Sequence, residues 1–438
     1  MKYCLRCCYP ANHPLGITFD SRGVCSGCLV HEEKDRIDWA EREATLRRIL
    51  EGYRSTSGRG FDCVIPVSGG RDSYFIVHMA KVVMGLNPLL VTFNEEYNTK
   101  RGIRNLANLL ATFDCDHITY SLDPELLKRI TRATLRRAGS MYWHCLAGWL
   151  TFPVQVAVRF KIPLVVWGVH GWSDQVGMFS HLDEVEMTKK VRREHALLGM
   201  DAEDLVNEGD GISRRDVQPF VYPYDHELAA VGVRGIYLGN YVRWDSKRQH
   251  ELMIRMYGYE TAQQERTFNT YEDVGDLHVA GVHDYIKFLK HGYGRATDHA
   301  CREIRLRRMS REEGIDLIAK YATVVPGDLR SFLQWVGLDE DAFLAGIDRF
   351  RDPRIWARNA KGVWALLDSV ANHRDDDGVE TARLPRIEDR CEFQITPSRE
   401  PGAVEDRQFL MGRTYLNRYN QHAMTDTPFE GIYPEVRL

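Results

Sequence analysis

The amino-acid sequence predicts an α/β protein built on a doubly wound, mostly parallel sheet. Two observations carry this. From Asp62 onward, short apolar runs alternate with stretches of helical period. One of those runs, Phe61-Asp62-Cys63-Val64-Ile65-Pro66-Val67, feeds a glycine turn, Ser68-Gly69-Gly70-Arg71-Asp72-Ser73, which opens a helix from Tyr74 to Met84. A third observation adds to the class rather than setting it. Cysteines crowd the first 28 residues, ahead of the sheet, and a helical region follows it.

Length and composition bound the rest. The 438 residues suffice for two or three domains. Hydrophobic content of 44% and charged content of 27% are those of an ordinary globular chain. A formal net charge of −4 supplies no global basic field, so nucleic acid is an unlikely partner. No apolar run reaches the roughly 20 residues that span a bilayer, so no membrane is expected. Met1-Lys2-Tyr3-Cys4 is not a secretory signal. The expected compartment is the reducing cytoplasm, where ten cysteines serve as metal ligands, core residues or reactive thiols rather than disulfides.

The elements then follow in order. Cys4-Leu5-Arg6-Cys7 and Cys25-Ser26-Gly27-Cys28 form two C-x2-C pairs with 17 residues between them. Cys4, Cys7, Cys25 and Cys28 have the spacing of two knuckles closing one tetrahedral zinc site. A redox or sulfur-carrying pair is the alternative, and Cys8 is a spare thiol beside Cys7. Glu32 to Tyr53 is charged and helical in period, and Ser55 to Gly60 is a linker. Strands are expected at Asp62–Val67, Pro88–Phe93, His117–Leu122, Pro163–Val169 and Ile236–Gly239. Helices are expected at Lys100–Phe113, Pro124–Ala138 and Trp149–Phe160, and one opens at Trp244-Asp245-Ser246-Lys247. Gly171 to Tyr224 is a polar insertion or lid with one helix near Asp201–Glu208. Val282 to Phe350 is helical, with caps at Ser310 and Asp339. Asp375-Asp376-Asp377-Gly378 marks a break before a polar tail. The domains expected are 1–58, 59–250, 251–372 and 373–438.

In a doubly wound sheet, ligands bind beyond the carboxyl ends of the strands. Three segments meet there: the Ser68 turn, Phe93-Asn94-Glu95-Glu96 and Trp167-Gly168-Val169-His170. Paired glycines let a backbone approach phosphate closely, and amides at a helix N-terminus attract it. Ser68 and Ser73 add hydroxyl donors, and Asp72 can hold Mg²⁺. The spacing and lysine of the G-x-x-x-x-G-K-[ST] loop are missing.

The turn resembles the S-G-G-x-D-S pyrophosphate loop of the PP-loop ATP pyrophosphatases, which share a HUP-like sheet. Further motifs follow in order: the two cysteine pairs, Ile162-Pro163-Leu164-Val165-Val166-Trp167-Gly168, Tyr237-Leu238-Gly239 with Trp244-Asp245-Ser246, His283-Asp284-Tyr285, and Gly292-Tyr293-Gly294-Arg295-Ala296-Thr297-Asp298. Together, from Cys4 to Ala319, they resemble the N-acetyl sugar amidotransferases of bacterial surface-polysaccharide (O-antigen, lipopolysaccharide) synthesis. The chain departs from that pattern at Val169-His170, at the single cysteine of Met141-Tyr142-Trp143-His144-Cys145, and past residue 370.

The resemblance implies ATP and Mg²⁺ as reactants and zinc in the knuckle. It implies that Ser68, Gly69, Gly70, Arg71, Asp72 and Ser73 hold the phosphates, with Asp72 on magnesium. Phe93, Asn94, Trp167 and Gly168 would line the adenosine pocket. Arg295 and Asp298 are candidates for substrate or phosphate contacts, or form a structural ion pair at a helix end. His144 and His170 are acid–base candidates or structural. The basic run Lys128 to Arg137 grips a sugar-nucleotide diphosphate or is a solvated helix face. The product would be an acetamidino group, made by adenylating the acetamido oxygen of an N-acetylated sugar (nucleotide) and displacing AMP with ammonia. Residue 2 is Lys, and no glutaminase triad motif is present. The resemblance therefore implies a separate glutaminase, with a channelling barrel subunit. The rival is a PP-loop sulfurtransferase, with a persulfide on Cys145, Cys115 or Cys8.

Overall fold

The computed structural model describes residues 1–57, 60–380, 393–397 and the backbone of 410–411. Most of the polar tail therefore lies outside the described residues.

The cysteine segment leads into α1 (Ser26–Glu33) and α2 (Trp39–Glu51). The sequence reading made one helix of Glu32 to Tyr53. The chain instead breaks before Asp38, whose carboxylate accepts the amides of Ala40 and Glu41 and starts α2 afresh. Next come β1 (Cys63–Pro66) and α3 (Arg71–Val77), which runs on as a π-helical turn, His78–Val83. This helix begins three residues before the expected Tyr74, because Gly70 is its N-cap. Then follow β2 (Pro88–Asn94), β3 (Tyr97–Asn98), α4 (Lys100–Phe113), β4 (His117–Ser121) and α5 (Pro124–Ala138). Both helices match their expected bounds. Thr99 and Asp123 cap them, and Pro124 stands at the first helical position.

α6 spans Trp143–Phe160, six residues longer than expected at its start. Pro153 sits inside this helix. α6 is apolar around most of its surface because it is buried, and no polar stripe marks where it begins. β5 (Leu164–Trp167) and α7 (Gly171–Val176) follow. The single helix expected near Asp201–Glu208 is two 3-10 turns, Ala202–Leu205 and Glu208–Asp210, because Asp201 and Asn207 each cap their own turn. α8 (Asp225–Val231), β6 (Arg234–Tyr237) and α9 (Ser246–Tyr257) complete this part. The helical region holds α10 (Leu277–His291), α11 (Arg295–Arg305), α12 (Arg311–Ala322), α13 (Leu329–Val336) and α14 (Glu340–Asp348). Ser310 and Asp339 cap α12 and α14 as expected. A hairpin, β7 (Trp356–Arg358) and β8 (Trp364–Leu366), follows, and β9 (Leu410–Met411) pairs antiparallel with β3.

The main sheet has five parallel strands in the order β4-β2-β1-β5-β6. β1 is flanked by β2 on one side and β5 on the other. The loops leaving β1 and β5 therefore diverge to opposite faces, and a crevice opens between them. One core lies under α5 and α6, with Leu89, Val91 and Phe93 of β2. Another lies under α3, α4 and α9. The N-terminal cysteines share a third core with α11 and α12, and α10, α13 and α14 share a fourth with Tyr142 and Cys145 of α6's start. The helical region is thus seated on both the knuckle and the sheet body. Among the described residues, no helix is long and apolar enough to cross a membrane.

Candidate functional site

β1 delivers the Ser68 turn to the crevice. The Ser68 amide donates to Ser73 Oγ at 3.0 Å, and the Gly70 amide donates to Ser68 Oγ at 3.2 Å. Gly69 has φ +75°, and a Cβ there would lie 2.6–2.7 Å from the Leu106 backbone. Glycine is required by both conformation and space. At Gly70 a Cβ would meet only Ser68 Oγ, at 3.1 Å. The space that residue leaves open faces the start of α3, whose first amides lack a side-chain cap.

The Asp72 carboxylate is one-third exposed, 3.1 Å from Arg71 Nε and 3.5 Å from His250 Nε2. Burial raises its pKa, but Arg71 and His250 outweigh that and hold it down at about 2. It is therefore ionised and able to take a cation. Arg71 also pairs with Glu272. Glu272 in turn accepts from Arg302 at 2.6 Å and His299 at 3.0 Å. One carboxylate thus ties the turn to α11. His250 and Glu272 escaped the sequence reading: the first is one polar residue in an amphipathic helix, and the second lies in an irregular segment without periodicity.

The other expected site residues divide. Asn94 stitches the end of β2, donating to Ser121 Oγ at 3.0 Å and accepting from the Glu96 amide at 3.1 Å. Gly168 passes over α3, and a Cβ there would lie 3.1 Å from Ile76. Neither Phe93 nor Trp167 lines the cavity beside the turn; Trp167 borders a separate one with Met187 and Tyr222. Strand alternation puts Phe93 on the core face with Leu89 and Val91, and Trp167 with Val165. The Phe93 ring stacks on Tyr120 at 6.0 Å and fills the space over Gly148. His144 is buried, 3.2 Å from Cys145 Sγ and edge-on to Tyr97, and burial pushes its pKa down to about 3. It faces the core, because α6 begins earlier than its sequence suggests. His170 accepts the Ser173 amide at the start of α7. In the basic run, Lys128 pairs with Glu125, Arg132 binds the Val336 carbonyl, and Arg136 and Arg137 pair with Asp210.

A cavity of about 470 Å³ opens beside the turn. Arg71, α10, α11, Trp143 of α6, residues 13–15 and the 171–200 segment wall it. Arg295 and Asp298 both line it, but not as a pair with each other. Arg295 pairs with Asp273, and burial lowers its pKa to about 10. Asp298 accepts from Lys287 Nζ at 2.5 Å and Tyr9 Oη at 2.6 Å. Burial pushes its pKa up, and the Lys287 ammonium more than offsets this.

The four sulfurs of Cys4, Cys7, Cys25 and Cys28 lie within 4.8 Å of one another, all buried. Tetrahedral zinc, with Zn–S near 2.3 Å, calls for sulfurs about 3.8 Å apart. Cys4 Sγ accepts the amides of Arg6, Cys7 and Cys25 at 3.3–3.4 Å, which orients the thiolate and offsets its charge. The Arg305 guanidinium donates to Cys28 Sγ at 3.4 Å. The set therefore fits Zn²⁺. Cys8 stands apart, its amide donating to Cys301 Sγ at 3.3 Å.

Residues 265–371 match a family model described as the C-terminal domain of WbpG-like LPS biosynthesis proteins. An uncharacterized protein of Methanocaldococcus jannaschii is 24% identical over 120 residues, which are 27% of this chain and 43% of that protein. The chain thus spans less than half of that curated relative. Among solved structures, the NMN synthetase of Francisella tularensis has 13% identity and a TM-score of 0.26, over 52% of this chain and 98% of that one. The NH3-dependent NAD synthetase of Campylobacter jejuni has 11% identity and a TM-score of 0.25, over 44% and 92%.

Proposed function

We propose that the chain is an ATP-dependent amidotransferase of surface-polysaccharide biosynthesis, converting the acetamido group of an N-acetylated sugar into an acetamidino group. The observation that carries this is the Ser68 turn, a glycine-made anion cradle with an ionised Asp72, opening onto a cavity lined by cations and tryptophans. The match of residues 265–371 supports the polysaccharide setting.

The amide oxygen attacks the α-phosphorus of ATP, pyrophosphate leaves, and the amide N–H proton is lost. Ammonia then adds to the activated carbon, and AMP departs with its electron pair. The amide carbon keeps its oxidation level, so no redox partner is required. Ser68 to Ser73 hold the β- and γ-phosphates through amides and hydroxyls. Asp72 would hold Mg²⁺, which would supply charge neutralisation for the leaving pyrophosphate. Arg71, Arg295 and Arg302, braced by Glu272 and Asp273, keep further guanidinium N–H donors for phosphate or substrate oxygens. Zinc at the four cysteines is structural. A separate glutaminase, with a channelling subunit, supplies ammonia.

The sulfurtransferase reading fares worse. Cys145 is fully buried, and burial pushes its thiol well above the usual range. Cys8 is buried under α12, and Cys115 is half-buried with a raised pKa. A persulfide carrier needs an accessible thiol with a lowered pKa.

The test is mass spectrometry of the chain with Mg-ATP, ammonium and a panel of N-acetylated sugar nucleotides. AMP together with a sugar whose acetamido oxygen has become NH is the expected result. AMP without sugar modification refutes the amidotransferase, and ADP refutes the assignment of the Ser68 turn.

A further inference from the structure

One wall of the cavity has no task in that scheme. α10 turns His283, Ile286, Lys287 and Lys290 toward it, spaced three or four residues apart along one helix face, with His291 adjoining. The four carboxylates on the cavity wall are all engaged elsewhere. Asp174 pairs with Lys34, Glu272 with Arg71 and Arg302, Asp273 with Arg295, and Asp298 with Lys287. Arg305 is offset by the cysteine sulfurs. Lys290 has no carboxylate partner among the described residues. Its ammonium meets the carbonyls of Ala138 and Gly139 at 3.1 and 3.3 Å and the Phe350 ring at 5.4 Å. Burial lowers its pKa to about 8. The buried Nδ1 of His283, whose ring stacks on Tyr142, has no hydrogen-bond partner among the described residues. Burial and the nearby lysines bring the pKa values of His283 and His291 to about 3, so both rings are neutral donors. An anion entering here would gain a partner for each, while the other cations of the cavity wall already have carboxylate or sulfur partners.

We propose that Lys290, with His283 and His291, holds the phosphate ester of the substrate's carrier, on a separate element from the Ser68 turn that takes ATP. This rests on the amidotransferase reading and assigns the other end of its substrate.

The test is calorimetric titration of UDP, CMP and uridine into the full chain with its ATP site saturated by a non-hydrolysable Mg-ATP analogue. UDP or CMP is expected to bind at least about tenfold more tightly than uridine, the worth of one charge-assisted hydrogen bond. Lys290→Gln should remove that advantage and leave affinity for the ATP analogue unchanged, and Lys290→Arg should restore it. Lys290 also caps α5, so a wild-type measurement stands beside the variants. Pyridoxal phosphate, whose aldehyde condenses with an amine and loses water, is trapped with borohydride and mapped to its lysine. Labelling of Lys290 that UDP blocks and uridine does not supports the wall. Equal affinity for UDP and uridine, unchanged UDP affinity in Lys290→Gln, or no UDP protection overturns it. The binding measurements need no turnover. Amidination that proceeds with UDP affinity indifferent to Lys290 would remove the wall alone. UDP held through Lys290 without amidination would remove the reaction alone.

Discussion

The Ser68 turn and the cysteine knuckle are both short glycine-bearing segments built around charge, yet they are assembled differently. The turn is local. Its internal hydrogen bonds join Ser68, Gly70 and Ser73, a side chain at Gly69 would strike the Leu106 backbone, and the longer ties are made by the Arg71 and Asp72 side chains alone, to Glu272 and His250 among the described residues. The knuckle is an assembly of distant parts. Arg305 touches its sulfurs, Arg311 donates to the carbonyls of Cys4 and Cys7, and Cys301 faces Cys8. Its own Tyr9 donates to Asp298 of the cavity wall, and residues 13–15 line the cavity. A local motif can report its chemistry from six consecutive residues. An assembled one reports only its ligand set, and its place beside the site depends on helices some 300 positions away.

The comparison can be broken first at the metal. Cys25→Ser should lower the melting temperature by roughly 10 °C or more, because structural zinc supplies folding free energy outright. Calorimetry and metal content check this together. An unchanged melt would make the knuckle an appendage. Next, Gly69→Ala places a methyl in a left-handed conformation against a backbone. It should cost about 2–4 kcal/mol and abolish Mg-ATP binding. Gly70→Ala, in extended backbone where the methyl meets only the Ser68 hydroxyl at 3.1 Å among the described residues, should fold normally after a small shift of that hydroxyl. Equal damage from both would deny that the turn is built on Gly69. Asp72→Asn should leave the fold intact and slow AMP formation by about a hundredfold; rates within a few-fold of the parent would remove Asp72 from the metal.

The smallest effect lies at the knuckle's outer edge. The His373 ring lies 4.5 Å from the Tyr3 ring, and its nitrogens meet Asp376 at 2.7 Å and Asp368 at 2.9 Å. Burial pulls its pKa down, but the two carboxylates win and raise it above 6.5. A raised pKa stabilises the protonated fold. The contribution is therefore complete below about pH 6.5 and is lost as pH climbs through the raised value. His373→Gln should cost about 0.5 kcal/mol at pH 6 and nothing at pH 9, read from urea melts at each pH. A cost that persists at pH 9 would mean packing rather than charge.

Legibility followed the range of the forces. α4 and α5 could be bounded to the residue because Thr99, Asp123 and Pro124 act on their immediate neighbours. α6 could not, because burial on nearly every side erased the stripe that marks a helix start. The resemblance put Phe93 and Trp167 in the adenosine pocket, whereas the alternation of the strands sends their rings to the core. Glu272 carried no pattern at all, although it ties Arg71 to Arg302 and His299.

By itself the sequence determined the alternating parallel sheet, the Ser68 turn and the four sulfurs. Each rests on side-chain period, backbone freedom or ligand spacing within a short stretch of chain. Only the tertiary structure decided which cations are paired, which histidines are buried and neutral, and that the knuckle, α10 and α11 wall one cavity with Arg71. Those outcomes depend on burial and on Coulomb partners brought together from opposite ends of the chain.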